Sequence, residues 1–205
     1  MALSLDNLNS MQIDVLREIG NIGAGNAATA LATMLSKKID MDVPRVNILE
    51  FREVGDLLGG EERVVAGIYF KLSGDIEGSI MFVLDHESAK KLISLLFGKK
   101  MAPEEEIDEM GMSALQEVGN ILAGSYCSSL SSLTGLTLNI SVPSLSIDMA
   151  GAILSVPVIL FGQVGDKVML IETDFSEGGD KVNGNFFLIP DEGSFEPLLM
   201  SLGVL

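Results

Sequence analysis

The chain has 205 residues, a length that suits one compact domain or two small halves. Hydrophobic residues make up 47% of the chain and aromatic residues 5%, which predicts a sizeable, mostly aliphatic core. The net charge of −16 argues against nucleic acid and anionic lipid as partners, and the single cysteine excludes an internal disulfide.

The first predicted element is a helix from about Met11 to Ser36, because apolar residues recur there at helical spacing. Ser10 or Asn9 stands where a cap is expected. Three glycines fall within six positions of this helix, at Gly20, Gly23 and Gly25. Each costs about 1 kcal/mol relative to alanine in a helix, so we expect them to allow another backbone to approach closely or the helix to open locally.

Strands and one short helix follow in the first half. Apolar runs predict strands at three places: Val46–Phe51, Val64–Leu72 and Ile76–Leu84. A glycine-containing loop is expected over residues 55–60, and a turn at 73–75 joins the last two strands as a hairpin. Asp85 or Ser88 is expected to cap a short helix that ends near Phe97.

The second half repeats this order after a candidate linker at residues 99–108, whose acidic run suits the start of a helix. We predict a second long helix from about Ile107 to Leu133. Strand patterns return at four places: Thr137–Val142, Val156–Gln163, Lys167–Thr173 and Gly184–Ile189. A turn at Gly178-Gly179 separates the last two strands, and a short helix is expected near Phe195–Leu202.

One stretch of the long helix occurs twice. Asp14–Gly25 reads DVLREIGNIGAG, and Ser113–Gly124 reads SALQEVGNILAG, at an offset of 99 residues. The same register continues to Pro44 in the first copy and to Pro143 in the second. A register kept over this length is an internal repeat.

The repeat predicts the architecture. We expect one compact domain over residues 1–205, made of a first repeat at 1–100 and a second repeat at 101–205. Val182–Asp191 resembles Ile76–Asp85, so the sequence similarity between the two repeats extends into their hairpins. The predicted fold class is α+β with two layers and pseudo-twofold symmetry, in which two long helices cover one face of a mostly antiparallel sheet.

The repeated polar residues Asp14, Glu18 and Asn21 lie four and three positions apart, which places them on one helix face. Their counterparts are Ser113, Glu117 and Asn120. A carboxylate beside an amide can bind a cation and orient a water, but it supplies no nucleophile. A single exposed glutamate or asparagine is usually only a solvated face, whereas two copies retained beside changed neighbours favour a function.

The pattern Asp/Ser-x3-Glu-x2-Asn, followed by proline after 22 residues, resembles the signature of the CheC, CheX and FliY family of chemotaxis phosphatases. Both copies have the full spacing and end at Pro44 and Pro143. The doubled layout is most like that of CheC-type members. The resemblance implies that the chain dephosphorylates the response regulator CheY.

The resemblance also implies the roles of individual residues. Glu18 and Glu117 would pair with the active-site lysine of CheY, and Asn21 and Asn120 would orient the attacking water. The chain would need no cofactor or metal of its own, because CheY supplies the Mg²⁺. The receptor deamidase CheD is expected to bind and to raise the activity. Since both copies lie in one chain, a monomer is expected.

Two other readings remain open. The chain could be a docking module that binds phosphorylated CheY or CheD without catalysis, or a flagellar-switch component, which the lack of an added domain after Leu205 disfavours. The N-terminal residues lack the basic and apolar regions of a signal peptide, and no apolar stretch is long enough to span a bilayer. We therefore expect a cytoplasmic protein without membrane contact.

Overall fold

The structure is a computed structural model that describes residues 8–35, 40–41, 45–102, 104–161, 167–177 and 180–205. Within these ranges the helices are α1 (Ser10–Leu35), α2 (Phe51–Leu57), α3 (His86–Phe97), α4 (Glu109–Thr134), α5 (Ala150–Phe161) and α6 (Phe195–Ser201). The strands described there are β1 (Asp40–Met41), β2 (Arg45–Glu50), β3 (Val64–Gly74), β4 (Gly78–Asp85), β5 (Leu138–Ile140), β6 (Ser144–Met149), β7 (Lys167–Glu177) and β8 (Asp180–Pro190).

The strands form one sheet in the order β1-β7-β8-β4-β3-β5, in which β2 also pairs with β7 and β6 with β3. Every described strand pair is antiparallel. At the centre, Met81 of β4 lies opposite Phe187 of β8. These two residues are equivalent when the hairpins are aligned, so a local twofold axis passes between them, as predicted.

The strands are exchanged between the two halves of the chain. Arg45 of β2 pairs with Glu172 of β7, which belongs to the second hairpin. Ser144 of β6 pairs in the same way with Tyr69 of β3, in the first hairpin. The hairpin of each half is therefore extended by a strand from the other half.

Helices cover both faces of the sheet. Side chains alternate along a strand: Ile80 and Phe82 of β4 join a large core with α1, α3, α4 and α6, whereas Met81 and Val83 join a smaller core with Val54 of α2. The predicted α+β class, the mostly antiparallel sheet and the two long helices on one face are confirmed. The short helices α2 and α5 add a third layer to the two that were predicted.

Both α2 and α5 were missed, and one predicted strand is wrong. The loop predicted at 55–60 begins inside α2, and the described part of the strand predicted at Val156–Gln163 lies in α5. A short apolar run does not distinguish a helix from a strand. Here Ala150, Ile153 and Leu154 bury at helical spacing in the smaller core, and this packing favours the helix.

Most other elements lie close to their predicted bounds. However, β5 is shorter than predicted, β7 and β8 are longer, and neither β1 nor β6 was predicted. Both hairpins form. Asp85 caps α3 by accepting a hydrogen bond from the backbone N–H of Ser88 at 2.7 Å, and Gly98 ends that helix in the left-handed region at φ 64°. The predicted helix end at Ser36 and the turn at Gly178-Gly179 lie outside the described residues.

Candidate active site

The first motif helix, α1, begins at a reciprocal pair of hydrogen bonds. The backbone N–H of Gln12 donates to Asn9 Oδ1 at 3.0 Å, and the backbone N–H of Asn9 donates to Gln12 Oε1 at 2.9 Å. Gln12 Nε2 also donates to the carbonyl of Val204 at 3.2 Å, which ties the end of the chain to the first helical turn. Asn9 is therefore the cap, and the helix is anchored just before Asp14.

The second motif helix, α4, is capped by Asp108, the residue equivalent to Asn9. Asp108 Oδ1 accepts a hydrogen bond from the backbone N–H of Gly111 at 2.8 Å. The helix ends at Gly135, which has a φ of 70° and donates its N–H to the carbonyl of Ser131. Both helices have 26 residues, and their starts differ by the 99-residue offset of the repeat.

The structure places each predicted polar triad on a solvent-facing side of its helix. Glu18 and Glu117 are exposed, as are Asp14 and Ser113. Their partners Asn21 and Asn120 are half-buried at the edge of the same face. The catalytic roles of these residues remain a prediction, but their placement leaves the carboxylates open to another molecule.

The two faces differ in the residues that precede the glutamates. In the first repeat, Arg17 Nη1 donates to Asp14 Oδ1 at 3.3 Å, in an ion pair whose side chains are 49% and 70% exposed. In the second repeat, Ser113 Oγ donates to the carbonyl of Glu109 at 2.9 Å, and Gln116 stands at the position of Arg17. The first face therefore carries an added pair of charges.

The asparagine amides also differ in their surroundings. Asn21 Oδ1 is buried without a hydrogen-bond partner. Among the described residues, Asn120 has no buried side-chain atom that lacks a partner. A buried acceptor without a partner costs about 1–3 kcal/mol. A hydrogen bond donated to Asn21 Oδ1 by a water or by a partner protein would therefore be stabilising.

Small residues bring the motif helices close to their neighbours. A Cβ added at Gly23 would collide with the ring of Tyr126 on α4, and one at Gly119 would lie 2.9 Å from Ile68 of the sheet. Close approach therefore explains Gly23, although the neighbour is a side chain and not backbone. A Cβ at Gly25 would meet nothing within 4 Å, so close approach does not explain that glycine.

A hydrogen bond and an aromatic contact fix α4 at this crossing. Asn26 Nδ2 of α1 donates to Ser129 Oγ of α4 at 2.8 Å. The rings of Tyr126 and Phe186 pack with centroids 5.1 Å apart. Beside the crossing lies an open groove of about 540 Å³ between the two helices, lined by Ile22, Asn26, Gly124, Ser125, Ser128, Ser129, Ser132 and Leu133. The hydrogen bond therefore joins the two motif helices at the crossing, and the ring contact joins α4 to the sheet.

The motif proline of the second repeat lies between two strands that contact its helix. Pro143 is in the short connection between β5 and β6, two strands that pack against α4. The connection is held to β3, because the backbone N–H of Ser141 donates to the carbonyl of Lys71 at 2.9 Å. Pro44, the equivalent of Pro143, lies outside the described residues.

The motif helices offer no activated nucleophile. Cys127 is buried in α4, and its burial raises the pKa of the thiol to about 12. Burial also raises the pKa of the neighbouring Tyr126 hydroxyl above its ordinary value. In the part of the chain that the structure describes, no cluster of histidine, cysteine and acidic residues could hold a metal ion.

The described helices were also compared with the length and hydropathy that a membrane span requires. None of them is long and apolar enough to cross a membrane.

The sequence profile of the CheC-like family matches residues 11–48 and 110–147, the two stretches that contain the motifs. The chain is 40% identical to the CheY-P phosphatase CheC of Bacillus subtilis over 97% of both chains. A crystal structure of Thermotoga maritima FliY superposes with a TM-score of 0.76 at 27% identity, covering 96% of this chain and 98% of that one.

A second solved structure contains a partner. It is the complex of CheX with CheY, BeF₃ and Mg²⁺ from Borrelia burgdorferi, in which the matching chain has a TM-score of 0.53 at 25% identity, covering 86% of this chain and 98% of that one. The matched residues hold both Glu/Asn faces, and the curated relative is matched over nearly its whole length. The chain therefore belongs to the CheC-like family.

Proposed function

We propose that this protein hydrolyses the aspartyl phosphate of the response regulator CheY, with the outer faces of α1 and α4 as two active sites. One observation carries the proposal: both Glu/Asn faces are open to solvent, in a chain 40% identical to a CheY-P phosphatase. The match to a CheX chain solved in complex with CheY supports CheY as the partner.

The proposed reaction is a displacement by water at phosphorus. Water attacks the phosphorus as the bond between phosphorus and the aspartyl oxygen breaks, and the products are inorganic phosphate and the free carboxylate of CheY. Phosphoryl transfer needs little covalent help from the enzyme, so holding the water in line with the leaving oxygen supplies much of the rate.

The asparagines are suited to hold that water. Asn21 and Asn120 each carry an amide, which accepts and donates hydrogen bonds without taking up the proton of the water. Both amides sit half-buried at the edge of a rigid helix, so little freedom is lost when the substrate arrives. The unused oxygen of Asn21 is already removed from bulk solvent.

The glutamates are suited to hold the substrate. Glu18 and Glu117 are exposed and lie one turn before the asparagines, where each can pair with the active-site lysine of CheY. This pairing would set the asparagine against the phosphoryl group. The Mg²⁺ belongs to the phosphorylated substrate and is no resident of this chain.

The proposal extends to the setting of the enzyme. It places the protein in the cytoplasm with its substrate, as a monomer that carries two sites. It also includes CheD as a second partner that raises the activity. Turnover is therefore compared with and without CheD.

The test is phosphate release from phosphorylated CheY with catalytic amounts of this protein, with and without CheD. Asn21→Ala and Asn120→Ala are compared with the double variant, and Asn183→Ala, an exposed asparagine on β8, is the matched control. We expect the double variant to lose about a hundredfold in turnover, because the water is no longer positioned. The control should keep full activity.

Binding separates the outcomes. The double variant should still bind CheY carrying beryllium fluoride, because the glutamates remain. Full turnover in the double variant would refute the two-site mechanism. Loss of phosphorylated CheY only in proportion to the amount of protein added would instead indicate a docking module without catalysis.

A further inference from the structure

Two exposed methionines stand at equivalent positions of the repeat. Met11 on α1 and Met110 on α4 are each 65% exposed, and they differ by the 99-residue offset. A lone exposed apolar side chain is normal on a protein surface and needs no explanation. The same residue at the same exposure in both repeats does need one.

Helix geometry places each methionine on the motif face. Met11, Asp14, Glu18 and Asn21 follow one another at intervals of three, four and three residues, which keeps them within about 80° of the helix circumference. Each methionine lies seven residues before its glutamate, or about 10 Å along the axis. Met110 has the same relation to Glu117.

The neighbours of the methionines have changed between the repeats. Between the cap and the glutamate, the methionine and one leucine are identical in the two copies, and the other positions differ. The leucine is explained by packing, because Leu16 and Leu115 are buried in the core. Within the described ranges, no packing in the core explains the exposed methionine, which points to a contact with another molecule.

We propose that Met11 and Met110 are the apolar docking contacts for CheY, each packing against the surface of the response regulator beside its phosphorylation site. The proposal rests on the function proposed above. The methionine lies on the same helix face as the glutamate and asparagine, two turns before the glutamate. A CheY molecule bound to those two residues therefore also contacts the methionine. Its flexible, polarisable side chain suits the irregular surface of a folded partner.

The division of labour on this face follows from the chemistry. A buried apolar contact contributes binding free energy that does not depend on the phosphoryl group. The glutamate and asparagine act on the charged site itself. The methionine should therefore set how tightly CheY is held, and the asparagine should set how fast it reacts.

The test measures binding and turnover for each face separately. In an Asn120→Ala background, where α1 is the working face, Met11→Ala should raise KM about tenfold and leave kcat unchanged. In an Asn21→Ala background, Met110→Ala should do the same for α4. Met11→Leu, which keeps an apolar side chain of similar size, should restore a KM close to that of the parent.

The control is Met149→Ala. Met149 is a 48%-exposed methionine at the junction of β6 and α5, where the chain passes to the opposite face of the sheet. It should change neither KM nor the affinity for CheY loaded with beryllium fluoride. Thermal melts of all variants should coincide within a few degrees, because the exposed methionines are not part of the core.

The outcomes distinguish this inference from the function on which it rests. Wild-type protein that neither binds nor dephosphorylates CheY would refute both. Active wild-type protein with unchanged KM in Met11→Ala and Met110→Ala would refute the docking contacts alone. Dimers of wild-type protein that dissociate in the Met11→Ala/Met110→Ala variant, with CheY affinity unchanged, would assign the methionines to contact with a second copy and also refute the proposal.

Discussion

The helices α1 and α4 have the same length and start at equivalent positions of the repeat, yet they are built differently around the crossing where they meet. At the crossing, α1 contributes Gly23 and Ala27, and α4 has Leu122 and Tyr126 at the equivalent positions. Tyr126 fills the space that Gly23 leaves. Small residues on one helix are thus matched by large residues on the other.

The motif faces differ far less than the crossing does. Glu18 and Asn21 recur as Glu117 and Asn120, whereas the ion pair of Asp14 with Arg17 is replaced by Ser113 and Gln116. Packing residues can change in a coordinated way as long as the volume is conserved. Residues that meet an external partner have less freedom to change, so we expect the retained pairs to lie where the proposed partner binds.

The largest effect expected near neutral pH comes from breaking the asymmetry of the crossing. Gly23→Leu should lower the free energy of unfolding by about 2 kcal/mol, because overpacking against Tyr126 exceeds the gain in helix propensity. Urea denaturation measures this change. Combining it with Tyr126→Ala places leucine and alanine at positions 23 and 126, the residue types found at the equivalent positions 122 and 27. The added leucine then fills the space of the lost ring, so the double variant should be more stable than Tyr126→Ala alone. If the changes in unfolding free energy of the two substitutions simply add, the residues at positions 23 and 126 do not compensate each other in volume, and this interpretation is wrong.

A second test compares Cys127 with its counterpart Ala28. The pKa of the Cys127 thiol is raised to about 12 in the folded chain from an ordinary 9.0, so ionisation above pH 9 favours the unfolded state. Wild-type protein should therefore lose about 1.4 kcal/mol per pH unit between pH 9 and 12, relative to Cys127→Ala. Denaturation curves at pH 8, 9.5 and 10.5 give this difference. Parallel pH profiles for the two proteins would show that the thiol ionises in the folded state.

The asparagines provide a smaller contrast. Asn21→Ala should be more stable than Asn120→Ala by about 1 kcal/mol, because it removes a buried oxygen without a partner. Both substitutions gain the same helix propensity, so this gain cancels in the comparison. Thermal denaturation of the two variants side by side measures the difference. Equal stabilities would mean that Asn21 Oδ1 costs the fold nothing.

The smallest effect is expected at the charge pair of the first face. Arg17→Gln copies the second repeat and should change the free energy of unfolding by no more than about 0.5 kcal/mol, because both partners are largely exposed. Melting at low and at high salt checks this prediction. A loss above 1 kcal/mol, or a strong dependence on salt, would show that Arg17 stabilises α1 through more than an exposed pair.

The long helices and the motif faces were predictable because their signals are local. The repeat sets α1 and α4 in register, and the spacing of Glu18 and Asn21 puts them on one face. Cap residues at Asn9 and Asp108 then mark where each helix begins. These features depend on neighbouring residues alone, so the sequence contains what is needed to infer them.

The third layer and the exchanged strands depend on distant contacts. The apolar run in α5 suits a strand as well as a helix, and burial against the sheet decides the outcome. The strand β6 could have been found, because shifting β2 by the repeat offset of 99 residues gives Ser144–Met149. The exposure of Met11 and Met110 needed the structure, since methionine at helical spacing usually belongs to a core.

The exchange of strands also governs the order in which the protein can form during synthesis. β2 leaves the ribosome early, but its partner β7 is among the last strands to be made. The pairing of Arg45 with Glu172 therefore cannot form until β7 has been synthesised. Until then the edge of β2 presents unpaired backbone groups that invite pairing with other chains. The first half therefore cannot finish folding while the chain grows, and the final sheet closes only after nearly the whole protein has emerged.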